Sequence, residues 1–132
     1  MIAGGISLLF FVFHILFSQL FNWKETLTCL NLNNWAIFQT FNLVAILMVG
    51  MITYFTFLHP VELAEISFGR SLLIVFSLFY IIRIVAQFIY FGFHGVGSLI
   101  IVVLCLIPAL IYFWVSLSRS PETDKAQGVL VS

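Results

Sequence analysis

The sequence predicts an all-α fold, a polytopic membrane protein whose four transmembrane helices form an antiparallel up-down bundle. Three observations carry the prediction. First, hydrophobic residues make up 63% of the chain and charged residues 8%, against roughly 25% charged in a soluble globular domain. A chain of 132 residues is too short to hide so much apolar surface from water, because small domains leave a large share of their surface exposed. Second, the apolar residues gather in four runs, 2–21, 36–58, 71–91 and 96–117. Each is about 20 residues, enough to cross a hydrocarbon core of about 30 Å as a helix. Third, the charges avoid these runs, and Arg83 alone lies inside one.

The first run lacks a basic leader and a small-x-small cleavage site before Asn22, so it reads as an uncleaved helix rather than a signal peptide. A polar loop from Asn22 to Trp35 follows. The second run ends at Pro60, which cannot continue a helix, and residues 61–66 fit a short amphipathic turn on the membrane surface. The third and fourth runs are joined by the short link Gly92 to Gly95, and the polar tail 118–132 is expected to be disordered beyond Pro121. Transmembrane strands would instead show about ten-residue segments of alternating polarity. These runs do not alternate.

Lysine and arginine near the span ends set the orientation. With an even number of spans, both termini share a side with the second loop, and that side holds Arg70, Arg119 and Lys125. Lys24 stands alone opposite. The expectation is a multi-pass protein of the plasma (inner) membrane with cytoplasmic termini, and the lipid bilayer as its first partner. Five basic and five acidic residues balance, which leaves no net field for nucleic acid.

Polar residues inside a span carry most of the information. Ser77, Tyr80, Arg83, Gln87, Tyr90 and His94 recur at spacings of three and four along the third run. Those spacings keep side chains on one helix face. Lipid would satisfy none of these groups, so the stripe should face the bundle interior. Weaker seams run through the other spans: Ser7, Phe11, His14 and Ser18; Gln39, Asn42, Gly50, Thr53 and Thr56; Ser98, Cys105, Ala109, Tyr112 and Ser116. At about 1.5 Å per residue, His14, Asn42, Arg83 and Gln87 fall near one depth in the outer half. With Tyr80 and Tyr90 they form the candidate ligand-binding cluster. Arg83 has no acidic residue within any span, so it must bond to neutral groups, snorkel, or meet an anion brought from outside.

A second polar cluster is the inner loop, where His59, Glu62, Glu65 and Arg70 fall close together. Its simplest reading is a solvated loop with Arg70 paired to Glu65 or Glu62.

Several chemistries are excluded. His14, His59 and His94 lie at three different depths, so no two can sandwich a haem iron, and only a single-histidine haem would remain. Cys29 and Cys105 form no Cys-x-x-Cys pair. No His-Glu-x-x-His or carboxylate cluster marks a metal site. Small multidrug exporters rely on an acidic residue in the first helix, where this chain has only His14 to titrate. No cofactor is expected.

The first loop reads Asn22-Trp23-Lys24-Glu25-x-Leu27-x-x-Leu30-x-Leu32-x-Asn34. The third span opens Gly69-Arg70-x-Leu72-Leu73 and continues Phe79-Tyr80-x-x-Arg83-x-x-x-Gln87. In these motifs the chain resembles a group of uncharacterised bacterial four-helix membrane proteins whose third helix carries an aromatic pair followed by Arg and Gln. The resemblance implies the four-helix topology and singles out Arg70, Arg83 and Gln87, without implying a reaction. The expected function is therefore that of a non-enzymatic membrane component, an accessory or self-associating bundle in a homo-oligomer or larger membrane complex. The alternative is binding or transport of a small anionic or polar ligand (a lipid headgroup, quinone or solute) at the outer-half cluster. A haem protein or membrane enzyme ranks below both.

Overall fold

The computed structural model describes residues 1–92 and 95–118. His94, Arg119, Lys125 and the tail beyond Ser118 lie outside the described residues. Four helices are long and apolar enough to cross a membrane, and together they form an all-α four-helix bundle.

Helix α1 (Ile2–Leu20) ends at Phe21. Asn22 takes the left-handed conformation (φ 44°), which asparagine tolerates, and turns the chain into the single-turn α2 (Trp23–Thr26). Helix α3 (Leu32–Leu58) starts four residues before the apolar run because Asn31 caps it. The Asn31 Oδ1 accepts from the Asn34 backbone N–H at 2.8 Å, satisfying one of the donors that a helix start leaves open. The turn thus gained brings α3 to 27 residues, more than the roughly 20 that a hydrocarbon core needs. Pro60 closes α3 and opens α4 (Pro60–Glu65) at its first position, where a missing N–H costs nothing.

Helix α5 (Ser67–Ala86) passes into a π-helical turn, Gln87–Phe91. Gly92 then stops it in a left-handed conformation (φ 63°) that favours glycine. Helix α6 (Gly95–Leu117) completes the bundle.

Helix α1 packs along α3, α5 packs along α6, and the two hairpins meet where α1 faces α6. Burial is strongly polarised. One half, here the terminal half, holds Met1, α4 and Ser118. In it lie the buried Ala3, Ser7, Ile52, Phe76, Ser77, Tyr80, Ala109 and Tyr112. In the opposite, loop half, the buried residues among those described are Trp23, Gln87 and, close to mid-span, Cys105. Small residues explain the difference, because they let helix backbones approach in lipid. A Cβ on Gly4 would meet the Thr56 methyl at 3.0 Å, and one on Gly69 would overlap the Glu62 carbonyl and stand 2.6 Å from the Leu63 Cα.

Candidate functional site

The third-span stripe divides. Ser77, Tyr80 and Gln87 are buried and Arg83 is half-buried. Tyr90 is 79% exposed, contrary to its expected inward position. The π turn is the reason: its i→i+5 hydrogen bonding widens the helix, so residue 90 rotates off the line set by 80, 83 and 87.

In the terminal half, all four spans contribute one hydroxyl to a single junction. The Tyr80 hydroxyl donates to Ser7 Oγ at 2.8 Å. Ser7 Oγ lies 3.0 Å from the Tyr112 hydroxyl, and Thr56 Oγ1 also lies 3.0 Å from it. Ser7 and Thr56 are anchored in turn to the Ala3 and Ile52 carbonyls, at 2.9 and 2.7 Å. The Tyr80 and Tyr112 rings stack with centroids 6.2 Å apart. Helical side chains lean toward their own N-terminus. On antiparallel α5 and α6, the two tyrosines therefore lean toward each other, and both hydroxyls reach Ser7 Oγ. Tyr80 accordingly bonds within this junction, while its ring walls the group described next.

That group lies further toward the loop half. His14 Nδ1 stands 2.9 Å from the Phe10 carbonyl. A carbonyl can only accept, so Nδ1 carries the proton and Nε2 of the neutral ring is an acceptor. Asn42 Nδ2 donates to the His14 carbonyl at 3.3 Å, tying α3 to α1. Arg83 Nη1 donates to Gln87 Oε1 at 3.1 Å, and Gln87 Nε2 donates to Ser98 Oγ at 3.5 Å, tying the π turn to α6. His14 and Arg83 share the wall of a cavity of about 200 Å³, otherwise lined by Phe10, Phe13, Phe17, Ala86 and Ile101. A smaller cavity behind it, about 20 Å³, touches both residues and Tyr80. No described residue hydrogen-bonds to His14 Nε2. No buried side-chain nitrogen lacks a partner among the described residues, so Nε2 has open space beside it.

The inner loop differs from its expected pairing. His59 Nδ1 meets Glu62 Oε1 at 3.4 Å, and among the described residues neither Glu62 nor Glu65 pairs with Arg70. Pro60 sets the one-turn helix that places residue 62 one turn after His59, whereas Arg70 lies beyond the break at Ile66, in α5. The Glu62 carboxyl is held below the usual glutamate range, first by its own backbone N–H and then by the His59 ring. His59 and His14 stand in opposite halves. Among the described residues no group of three His, Cys, Asp or Glu could hold a metal ion.

Sequence spacing placed Ser7, Thr56 and Tyr112 on separate seams without joining them. The available signal was a hydroxyl near the same end of three spans, with the long Tyr80 side chain at mid-span in the fourth. No family model, curated protein or solved structure matches this chain. Fold and site together define its class, that of a small multi-pass helical membrane protein.

Proposed function

We propose that this chain is a non-enzymatic component of the plasma membrane, an accessory or self-associating bundle with both termini in the cytoplasm. The hydroxyl junction carries the reading. Tyr80, Ser7, Tyr112 and Thr56 spend their polar groups on one another and on backbone carbonyls, as interhelical hydrogen bonds do in lipid. Such a bundle presents a fixed outer face. Leu43 and Leu47 on α3 are 65% and 69% exposed and suit a photo-crosslinker. In native membranes a crosslinker at Leu47 should give one discrete protein adduct, either of twice the 15.0 kDa chain mass or of one larger partner. Adducts with lipid alone would overturn the proposal. The excess of Arg70, Arg119 and Lys125 over Lys24 supports the orientation, which a reporter fused after Ser132 tests.

A second reading is favoured by the cavity between His14 and Arg83. It joins a guanidinium and an open imidazole nitrogen to a wall of phenylalanines, which suits a small polar or anionic head on an apolar body. The two readings separate at Arg83→Met. Methionine keeps the length and removes a charge that has no carboxylate within the spans. The fold should then survive with thermal stability unchanged or raised. A bound ligand's contribution to stability, which scales with its concentration over Kd, should disappear. Unfolding of Arg83→Met in detergent would make Arg83 structural and remove the ligand reading.

A further inference from the structure

A cavity of about 530 Å³ opens in the loop half, where the last turn of α1, the one-turn α2 and the first turns of α3 come together. Its volume falls within the roughly 300–1,000 Å³ of small-molecule pockets. Ser18, Gln19, Asn22, Trp23, Lys24, Trp35 and Gln39 line it. Apart from Asn22, none of these side chains makes a hydrogen bond among the described residues. Hydroxyls elsewhere in the spans behave differently: Ser7, Thr40, Thr53, Thr56, Ser77 and Ser116 all bond within the protein.

Trp23 is the sharpest case. It is 5% exposed, held by Phe17 and Phe38 with ring centroids 5.3 and 4.7 Å away. No buried side-chain nitrogen lacks a partner among the described residues, so its indole N–H must face open space. The cavity is the space that this ring lines.

The lining also has a sign. It holds one ammonium, two indole N–H groups, three amides and a hydroxyl, and no carboxylate. The nearby Glu25 is engaged by Asn22 Nδ2 at 2.6 Å. Preformed donors and one cation favour an anion. Leu20 and Phe21, chain neighbours of the lining residues Gln19 and Asn22, are 60% and 50% exposed, and the lining stands at the end of two membrane-crossing helices, which suits the level where headgroups meet acyl chains. Trp and Lys side chains prefer that level. We propose that this cavity binds the phosphate of a membrane phospholipid headgroup, with Lys24, Trp23, Trp35 and Gln39 as its donors. This site is separate from the His14–Arg83 cavity and independent of the function proposed above.

The test uses the full chain, purified and delipidated in detergent. Trp114→Phe leaves Trp23 and Trp35 as the only tryptophans of three, so indole emission then reports on the cavity alone. Titration with phosphatidylglycerol should give a saturable emission change. Lys24→Gln should weaken that binding about tenfold, as for one lost charge-assisted hydrogen bond. Inorganic phosphate, which lacks acyl chains, should bind far more weakly than the lipid. Gln39→Leu, at the opposite wall, gives an independent loss of affinity should Lys24→Gln fold poorly. A titration without saturation, or one that both substitutions leave unchanged, would overturn the site. Inorganic phosphate binding as tightly as lipid would overturn the lipid assignment in favour of a free anion.

Discussion

The two halves of this bundle solve the same problem in opposite ways. In lipid nothing apolar pushes helices together, so association depends on close packing and interhelical hydrogen bonds. The terminal half supplies both: Gly4 and Gly69 sit under neighbouring atoms, and one hydroxyl from each span joins at Tyr112 and Ser7. The loop half is lined with rings instead. Phe17 meets Phe13 edge-to-face and Phe21 at a tilt along α1, with Trp23 edge-on to Phe17, and cavities of about 200 and 530 Å³ remain beside them. One half is a clamp, and the other keeps polar groups facing open space. Rigidity and binding capacity are therefore divided along the membrane normal rather than between inside and outside of the bundle.

The most severe way to break the clamp is at Gly69. An added Cβ there overlaps the Glu62 carbonyl and the Leu63 Cα, both backbone, so no side chain can swing aside. Gly69→Ala should cost about 3 kcal/mol or more, the upper range of overpacking. Gly97→Ala, with nothing within 4 Å of its Cβ, should stabilise by up to about 1 kcal/mol through helix propensity. Unfolding in mixed micelles measures both. Equal effects would remove the distinction between the halves.

Next in size is the junction. Ser7→Ala deprives the buried Tyr80 hydroxyl of its acceptor and Tyr112 of a partner. The loss should be about 1–2 kcal/mol, near the top of the measured range for hydrogen bonds in membranes. Tyr80→Phe in the Ser7→Ala background should recover part of it, since the orphaned hydroxyl is then gone. Ser18→Ala in the loop half, whose hydroxyl bonds to nothing described, should leave the empty bundle unchanged.

Run length and charge placement made the four spans legible from sequence, and helical spacing put Ser77, Tyr80 and Gln87 on the buried face. The start of α3 was missed by four residues because Asn31 contributes a cap, and hydropathy does not register capping. Tyr90 was misplaced because periodicity assumes uniform α-geometry, which the π turn breaks. The polarity of packing was not legible at all. It depends on which glycines and rings fall opposite one another across helices, and no single-helix pattern contains that.

A labelling pattern sharpens the comparison without altering stability. In a background with Cys29 and Cys105 replaced by Ala, single cysteines at Ser77, Tyr80 and Gln87 should resist a lipid-phase maleimide. Cysteines at Ile82, Phe88, Ile89 and Tyr90 should react, as these positions are 66%, 51%, 67% and 79% exposed. Protection at 90 would restore an unbroken α-helical stripe and argue against the π turn.

The smallest expected effect lies at the cap of the terminal half, where α4 offers two candidate fastenings to α5 and α3. One is the contact of its backbone with Gly69, and the other is the His59–Glu62 pair at 3.4 Å. The pair is solvent-exposed, and exposed ion pairs contribute little to stability. Its influence should appear in titration instead. Because Glu62 is held below the usual glutamate range in the folded protein, any stabilisation it gives is complete above its unfolded pKa and is lost as pH falls through the lower folded value. His59→Ala removes one of the two groups that hold the carboxylate, so NMR titration should show the Glu62 pKa moving up toward the ordinary range. The remaining hydrogen bond from its own backbone N–H should keep it from arriving there. Thermal stability near neutral pH should not change. A melting-temperature loss in His59→Ala comparable to that of Ser7→Ala would mean that the exposed pair fastens α4. The packing at Gly69 would then cease to be what closes this end of the bundle.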